Sequence, residues 1–342
     1  MPGRGYSRRM TTLLHPQAAL FGQAGPGVGL PVVDHYCGVE ARMRKSLALQ
    51  AELGPVFDIT LDAEDGAPVG GEAEHALLIA QLATSPANRF NRVGARVHPF
   101  GHPAFEADVD TLIHHAGQRL AYLMLPKPDS AATVGLACDA IDAACRHHGQ
   151  PLLPIHALIE THGALREVFA IAAHPRIESL SFGLMDFVSA HGGAIPKTAM
   201  EVPGQFQHPL VLRAKLEIAA AAHAHAKTPS HCVVTEFRDP AVLALAARRA
   251  SRDLGYTRMW SIHPDQIRPI LNAFAPEPAE VIEAGDILLA AQAAHWAPTA
   301  HHGRLHDRAS YRYFWSLLTR AQRTAQPLPE SIRQAFFMDD KA

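Results

Sequence analysis

The sequence predicts an α/β protein, a (β/α)8 TIM barrel with a C-terminal helical extension. Short apolar runs rich in Val, Ile, Leu and Phe alternate with longer amphipathic runs, a pattern typical of parallel strands joined by helical crossovers. Eight such units fit the roughly 250 residues that a closed barrel needs. A doubly wound open sheet is the alternative, but the chain has no GxGxxG or GxxxxGK[ST] phosphate loop.

The strands are predicted from the apolar runs, taken in chain order. They are LPVVDHY (30–36), VFDITLD (56–62), ARVHPF (95–100), LAYLMLP (120–126), LLPIHALIE (152–160), IESLSFG (177–183), HCVVTEF (231–237) and TRMWSIHP (257–264). After Pro264 the pattern is helical, with no strand expected. The predicted domains are an N-terminal extension and loop (1–29), the barrel (30–276) and a helical C-terminal lid (277–342).

Composition excludes several classes of function. The formal net charge is −2 and no basic stripe occurs, so no nucleic-acid partner is predicted. No apolar run approaches the roughly 20 residues of a membrane span, and no secretory signal is predicted. The four cysteines form no CxxC, which favours buried, reduced thiols in a cytoplasmic protein.

Two carboxylates follow the fifth and sixth predicted strands, Glu160 and Asp186. The carboxyl ends of all barrel strands meet on one face, so these residues are expected to lie close together. Two carboxylates with room for waters and substrate oxygens suit Mg²⁺. The alternative is that either carboxylate forms an ion pair or caps a helix.

An acidic cluster and a strand arginine are the next candidates. Asp62, Glu64 and Asp65 follow the second strand and could orient an arginine or hold metal-bound waters; a capped loop is the alternative. Arg96 lies within the third strand, where a lone charge is costly unless it is paired. A substrate carboxylate and the acidic cluster are equally good partners for it.

Further polar residues end other predicted strands. Lys127 could be a Schiff-base nucleophile or an anion contact. His263 could orient a substrate or simply cap the strand end, and His98 and His162 are further candidates.

Six motifs resemble those of the HpcH/HpaI aldolase and citrate lyase beta subunit superfamily, in the family's order across residues 56–276. They are LDAEDGAP (61–68), RVH (96–98), LPKPDS (125–130), IETHGAL (159–165), FGLMD (182–186) and SIHPDQIRPILNAFAP (261–276). The resemblance implies a (β/α)8 barrel with a C-terminal lid, assembled as a homotrimer or hexamer. It also implies Mg²⁺ on Glu160 and Asp186, with Arg96 engaging the substrate beside the metal.

These expectations assign each site residue a role. The metal ligands are Glu160 and Asp186; the catalytic residues are Arg96, Asp62, Glu64 and Asp65; the substrate-binding residues are Arg96, Lys127, Gly183, His263 and Pro264. The implied activity is that of a Mg²⁺-dependent carbon–carbon lyase, of aldol or Claisen type. Its substrate would be a small hydroxy-acyl thioester, carried by coenzyme A or an acyl-carrier protein, or a related hydroxy or oxo acid.

Two alternatives stay open: a malyl-type thioester hydrolase on the same site, and a non-catalytic accessory subunit that binds a ligand or an acyl carrier. The chain departs from the family around the expected thioester position. GGEAEHALL (70–78) replaces the basic "K..AR", His98 replaces the Asn of "RvN", and VDHYCG (33–38) and VVTEFRD (233–239) are also atypical. Asp307 is the candidate for a proton donor supplied by the lid of a neighbouring subunit.

Overall fold

A closed barrel of eight parallel strands in sequential order forms the core of the computed structural model, which describes residues 13–22 and 29–338. The predicted (β/α)8 fold is therefore confirmed. The strands are β1 (Val33–Cys37), β2 (Phe57–Asp62), β3 (Val93–Arg96), β4 (Leu120–Leu125), β5 (Ile155–Ile159), β6 (Ile177–Phe182), β7 (Thr228–His231) and β8 (Arg258–Ser261).

Helices follow the strands, and their apolar faces pack on the outside of the barrel in one continuous core. Those of the barrel unit are α2 (Glu40–Leu53), α3 (Glu72–Thr84), α4 (Phe105–Ala116), α5 (Ala131–His147), α6 (His162–Arg166), α7 (Val168–Ala173), α8 (Leu184–Ser189), α9 (Val202–Gln205), α10 (Pro209–Ala224), α11 (Pro240–Arg252) and α12 (Ile267–Phe274). Local sequence explains where some begin: Ser130 caps α5, and Asp239 caps α11 ahead of Pro240.

The strand register determines which side chains meet inside the barrel. Asp34 of β1 pairs with Asp58 of β2, and Asp62 at the end of β2 pairs with Arg96 at the end of β3. Because side chains alternate along a strand, every second residue points inward. The barrel interior therefore carries polar layers, and the uppermost layer lies at the carboxyl ends of the strands.

Two strand predictions were displaced along the chain. The seventh strand was predicted at 231–237, but β7 is Thr228–His231 and residues 235–237 are exposed loop. The strand TPSH is polar and lacks the apolar pattern from which strands were predicted. It forms because it pairs with β6 and β8 and because Ser230 is buried in the folded barrel. The third strand was predicted at 95–100 and is Val93–Arg96.

A second compact unit comprises the described residues up to Gly29 and those from Ala275 onward. It contains α1 (Pro16–Phe21), α13 (Pro278–Ala293), α14 (Arg308–Arg323) and α15 (Glu330–Phe336), around an apolar core of its own. The expectation of no strand after Pro264 was wrong: β9 (Thr299–His301) and β10 (Arg304–His306) form an antiparallel hairpin with Gly303 in its turn at positive φ.

The predicted domain boundaries and the lid role of 277–342 stay predictions; within 1–29, residues 1–12 and 23–28 lie outside the described residues. All four cysteines are free and buried, as expected. Among the helices of residues 13–22 and 29–338, none has both the length and the hydropathy that a membrane span requires.

Candidate active site at the carboxyl end of the barrel

Arg96 and Asp62 form the centre of the site. The guanidinium donates from Nε to Asp62 Oδ1 at 2.6 Å and from Nη2 to Asp62 Oδ2 at 2.9 Å, and both side chains are buried. Of the two partners that the sequence left open for Arg96, the structure therefore shows the acidic cluster. Burial raises the pKa of Asp62, but the hydrogen bonds and charge of Arg96 outweigh it and hold that pKa below its usual range.

Tyr36 is a member of this centre that the sequence analysis missed. Its hydroxyl donates to Asp62 Oδ2 and accepts from Arg96 Nη2 at 2.5 Å, and its ring stacks on Trp260. Burial raises the pKa of Tyr36, so the phenol stays protonated. The available signal was its place near the end of β1, two residues after the inward-facing Asp34.

Glu64 and Lys127 extend the centre across the barrel mouth. Glu64 lies 3.1 Å from Arg96 Nη1, and Lys127 Nζ lies 2.5 Å from Glu64 Oε1, 2.7 Å from Asp65 Oδ2 and 3.6 Å from Asp186 Oδ1. Burial lowers the pKa of Lys127, but its bonds to Asp65 and Glu64 outweigh that and raise it above normal. A Schiff-base nucleophile must be a neutral amine, so this setting favours the anion-contact alternative.

Glu160 is a carboxylate with few compensating contacts. It follows β5, is only 2 % exposed, and accepts the backbone N–H of Lys127 at 2.8 Å on Oε1. Burial, and then the charge of Asp186, raise the pKa of Glu160 to about 8. The backbone of Lys127 is in the left-handed region, with φ 48°, and the N–H of this same residue donates to Glu160.

Asp186 reaches the same place from the next strand along. It lies in the first turn of α8, four residues after β6, and β6 pairs with β5. Gly183 leaves the space that Glu160 fills: a Cβ at position 183 would lie 2.1 Å from Glu160 Oε2. The structure thus gives Gly183 a steric role, and its contact with substrate stays a prediction.

The donor set of this pair fits a hard divalent cation. Burial and the charge of Asp186 disfavour the ionised form of Glu160, and a cation beside Glu160 and Asp186 would stabilise that form. Within the described residues, no three His, Cys, Asp or Glu side chains converge into a closed metal cage. Mg²⁺ is usually held by one or two protein carboxylates, while substrate oxygens and waters complete its octahedron.

Two cavities open beside this network. The first cavity, of about 580 Å³, is lined by Tyr36, by the exposed basic residues Arg42 and Lys45, and by His263 and Pro264. The second cavity, of about 400 Å³, is lined by Glu64 and Lys127. His263 and Pro264 are thus at a cavity wall, as a substrate contact requires, although His263 also caps the following 3₁₀ turn.

Two other candidates have ordinary structural partners. His162 is exposed and its ring contacts Phe187 and His191. Asp307 caps α14, accepting the backbone N–H groups of Ala309 and Ser310. Its capping contacts explain Asp307 without a catalytic role, and proton donation by it stays a prediction.

Comparison with known proteins identifies the family. The model of the HpcH/HpaI aldolase/citrate lyase family matches residues 55–264, which span the strands β2 to β8 and every residue of the network except Tyr36. The chain belongs to this family. Membership of the HpcH/HpaI aldolase/citrate lyase family confirms the resemblance that the six motifs indicated.

Individual relatives within the family have related activities. An L-malyl-CoA/beta-methylmalyl-CoA lyase of Cereibacter sphaeroides is 30 % identical over 269 residues, covering 74 % of this chain and 84 % of the relative. A (3S)-malyl-CoA thioesterase of the same species is 29 % identical over 242 residues, covering 69 % of this chain and 76 % of the relative.

Solved structures extend the comparison. A citrate lyase from Burkholderia xenovorans LB400 is 54 % identical with a TM-score of 0.81, covering 95 % of this chain and all of that one (100 %). The protein CitE from Mycobacterium tuberculosis, solved with magnesium, acetoacetate and coenzyme A, has a TM-score of 0.65 at 22 % identity, covering 86 % and 99 % of the two chains. The latter likeness shows a shared fold.

Proposed function

We propose that this protein is a Mg²⁺-dependent carbon–carbon lyase that acts on a small hydroxy-acyl thioester. One observation carries the proposal: the carboxylates Glu160 and Asp186 lie at the same end of the barrel as Arg96. The pKa of Glu160 is raised, and Arg96 is held in a fixed orientation by Asp62. Malyl-CoA lyase activity in a relative of 30 % identity, and magnesium in the structure of CitE, support the reaction and the cation.

The residues of the site would have different roles in metal and substrate binding. Glu160 and Asp186 would hold Mg²⁺, which supplies Lewis-acid stabilisation of negative charge on a substrate carbonyl oxygen. Arg96 presents its guanidinium in a fixed orientation, because Asp62 and Tyr36 hold it, and orients the substrate's anionic end. Lys127, protonated and fixed by Glu64 and Asp65, adds positive charge at the same mouth.

The first cavity fits the remainder of a thioester. It begins at Tyr36, next to Arg96, and Arg42 and Lys45 line it. Exposed basic side chains attract the phosphates of a long anionic carrier such as coenzyme A. His263 and Pro264 on the same wall would contact the thioester, as the sequence predicted.

The test is turnover of malyl-, citramalyl- and citryl-CoA with Mg²⁺, followed by detection of the released oxo acid and acyl-CoA. We expect cleavage of at least one of the three, and its loss when a chelator removes Mg²⁺. Absence of metal-dependent cleavage on all three would refute the proposal.

A thioester hydrolase is the second candidate, because a malyl-CoA thioesterase is also a relative. Product analysis separates the two activities: a hydrolase releases free coenzyme A and an intact hydroxy acid, whereas a lyase splits the carbon skeleton. Free coenzyme A without an oxo acid would favour the hydrolase. Tight binding of an acyl carrier without turnover would favour the accessory subunit.

We also propose a cytoplasmic homo-oligomer, a trimer or hexamer. The free, buried thiols suit a reducing compartment. Leu305, on β10, and Val69, after β2, are large apolar side chains that stand exposed in the single chain, at 76 % and 102 %. Light scattering after gel filtration would test the assembly, and a monomeric mass would exclude it.

A further inference from the structure

A histidine–aspartate pair that the proposed function does not use lies beside the site. His98 follows Arg96 by two residues, and the N–H of Val97 still donates to the carbonyl of Met124 on β4 at 3.2 Å. The chain is therefore still extended past the end of β3. Because side chains alternate along an extended chain, His98 lies on the same side of it as Arg96.

The imidazole of His98 is held in one orientation. Its Nδ1 lies 2.6 Å from Asp108 Oδ2, and its own backbone N–H donates to that oxygen at 3.0 Å. Asp108, in the first turn of α4, is 1 % exposed. A carboxylate only accepts hydrogen bonds, so Nδ1 carries the hydrogen and the neutral ring has its lone pair on Nε2. Among the described residues, Nε2 has no hydrogen-bond partner.

The second cavity, of about 400 Å³, gives His98 access to the site. His98 lines this cavity together with Glu64 and Lys127, and both of these also belong to the network of Arg96. Lys127 links the cavity onward to the carboxylate pair, through its N–H to Glu160 and its Nζ at 3.6 Å from Asp186. Lys127 thus joins the cavity that His98 lines to the carboxylate pair where the proposed substrate would bind.

The other groups around this cavity are less suited to proton transfer. Glu64 is engaged by Arg96 and Lys127, and Asp65 by Lys127, whose raised pKa keeps its amine protonated. Glu72 accepts the backbone N–H of Gly70 at 3.0 Å. His102 stacks on His98, but its Nδ1 accepts the N–H of Ala104, and Asp108 bonds His98 instead.

We propose that His98 is the acid–base residue of this enzyme and that Asp108 is its positioning residue, an inference that rests on the proposed lyase function. In the cleavage direction, His98 Nε2 takes the proton of the substrate hydroxyl. The hydroxyl carbon becomes a carbonyl as its bond to the α-carbon breaks, and the electron pair passes to the thioester as an enolate. The imidazolium then returns the same proton to the α-carbon, so protons and electrons balance.

The experiment compares purified variants with a thioester that the wild type cleaves in Mg²⁺. We expect His98→Gln to lower kcat by about 10²–10⁴-fold, the usual contribution of a general acid–base residue, with KM changed only a few-fold. His148→Gln is the matched control, because His148 and Asp110 form a pair of the same 2.6 Å length at the surface. The control should keep the wild-type kcat.

Two further arms separate proton transfer from folding. Imidazole added to His98→Gly should restore part of kcat if the lost group is a base, and thermal melting would show that the variant is folded. Asp108→Asn should lower kcat and shift His98 from the Nδ1–H to the Nε2–H tautomer in ¹⁵N NMR spectra.

The outcomes distinguish this inference from the proposed function. If the wild type cleaves the thioester and His98→Gln retains kcat within about threefold of it, His98 is not the acid–base residue and the lyase function stands. A folded His98→Gly that imidazole does not rescue also overturns the inference. If the wild type cleaves no thioester, the proposed function fails and the role of His98 fails with it.

Discussion

The barrel interior contains two arginine–carboxylate networks, one at each end of the strands. At the amino end, Arg258 Nη1 lies 2.5 Å from Asp58 Oδ2 and Nη2 lies 3.1 Å from Asp34 Oδ2, and all three side chains are 0 % exposed. At the carboxyl end, Arg96 bonds both oxygens of one carboxylate, Asp62, whereas Arg258 bridges two. The residues are of the same types and both pairs are buried.

The two networks differ in the residues that surround them. At the amino end, Thr60 and Tyr122 bond the other oxygen of Asp34, and Arg92, whose side chain is 25 % exposed, lies 2.7 Å from the other oxygen of Asp58. The carboxyl-end network continues into loops, where Lys127 is 28 % and Asp186 40 % exposed. The buried arginine–carboxylate pairs at the amino end stabilise the barrel, whereas the network at the carboxyl end lines two cavities and can contact a substrate there.

The largest effect is expected at the carboxyl end, from Glu160→Gln. Losing a ligand and the charge that attracts Mg²⁺ should lower kcat/KM by about 10⁴-fold, because metal stabilisation of a transition state is worth several kcal/mol. Isothermal calorimetry of Mg²⁺ and steady-state kinetics measure it. Glu217→Gln, at a partly exposed position on α10, is the control, and unchanged Mg²⁺ affinity in Glu160→Gln would disprove the metal site.

At the amino end we expect a loss of stability. Arg258→Met leaves Asp34 buried without its cation and leaves Asp58 with Arg92 alone, 2.7 Å away, which should cost about 3–5 kcal/mol in the free energy of unfolding. Urea denaturation measures it. Arg268→Met removes an exposed pair with Glu52, 3.7 Å long, and should cost less than about 1 kcal/mol. Equal losses of unfolding free energy in Arg258→Met and Arg268→Met would contradict a stabilising role for the amino-end network.

Arg96→Lys should lower activity much more than stability, unlike Arg258→Met at the amino end. A lysine cannot bond both oxygens of Asp62 and reach Tyr36 as well, so kcat/KM should fall by about 10²–10³-fold. Because Lys retains the charge, the free energy of unfolding should change less than in Arg258→Met. Near-normal activity in Arg96→Lys would argue against the substrate-orienting role.

The smallest effect concerns His35, which lies between Asp34 of one network and Tyr36 of the other. Burial lowers the pKa of His35 from 6.5 to about 4. Between these values the unfolded chain binds a proton that the folded chain does not, so stability falls as the pH falls through this window.

We expect this titration to contribute a loss of about 2–3 kcal/mol by pH 4, and His35→Gln to remove it. Urea denaturation at a series of pH values measures the slope. His225→Gln, at an exposed position after α10, is the control. An unchanged slope in His35→Gln would show that His35 does not cause the pH dependence.

The sequence by itself determined the fold and the order of the candidate residues. Apolar periodicity and crossover length are local properties, so the barrel and the placement of Glu160 after β5 and Asp186 after β6 could be predicted. Strand β7 could not, because TPSH has no apolar pattern and becomes a strand only by pairing with β6 and β8.

Only the tertiary structure decided how the site residues are paired. Arg96 could bind a substrate or an acidic neighbour, and the register of β2 with β3 sets Asp62 beside it. Tyr36 and Asp108 were missed for the same reason. Tyr36 contacts Arg96, which is far away in the sequence, and Asp108 contacts His98 from another element. Contacts of this kind depend on strand closure and on burial, and neither property can be assigned to a residue from its neighbours in the chain.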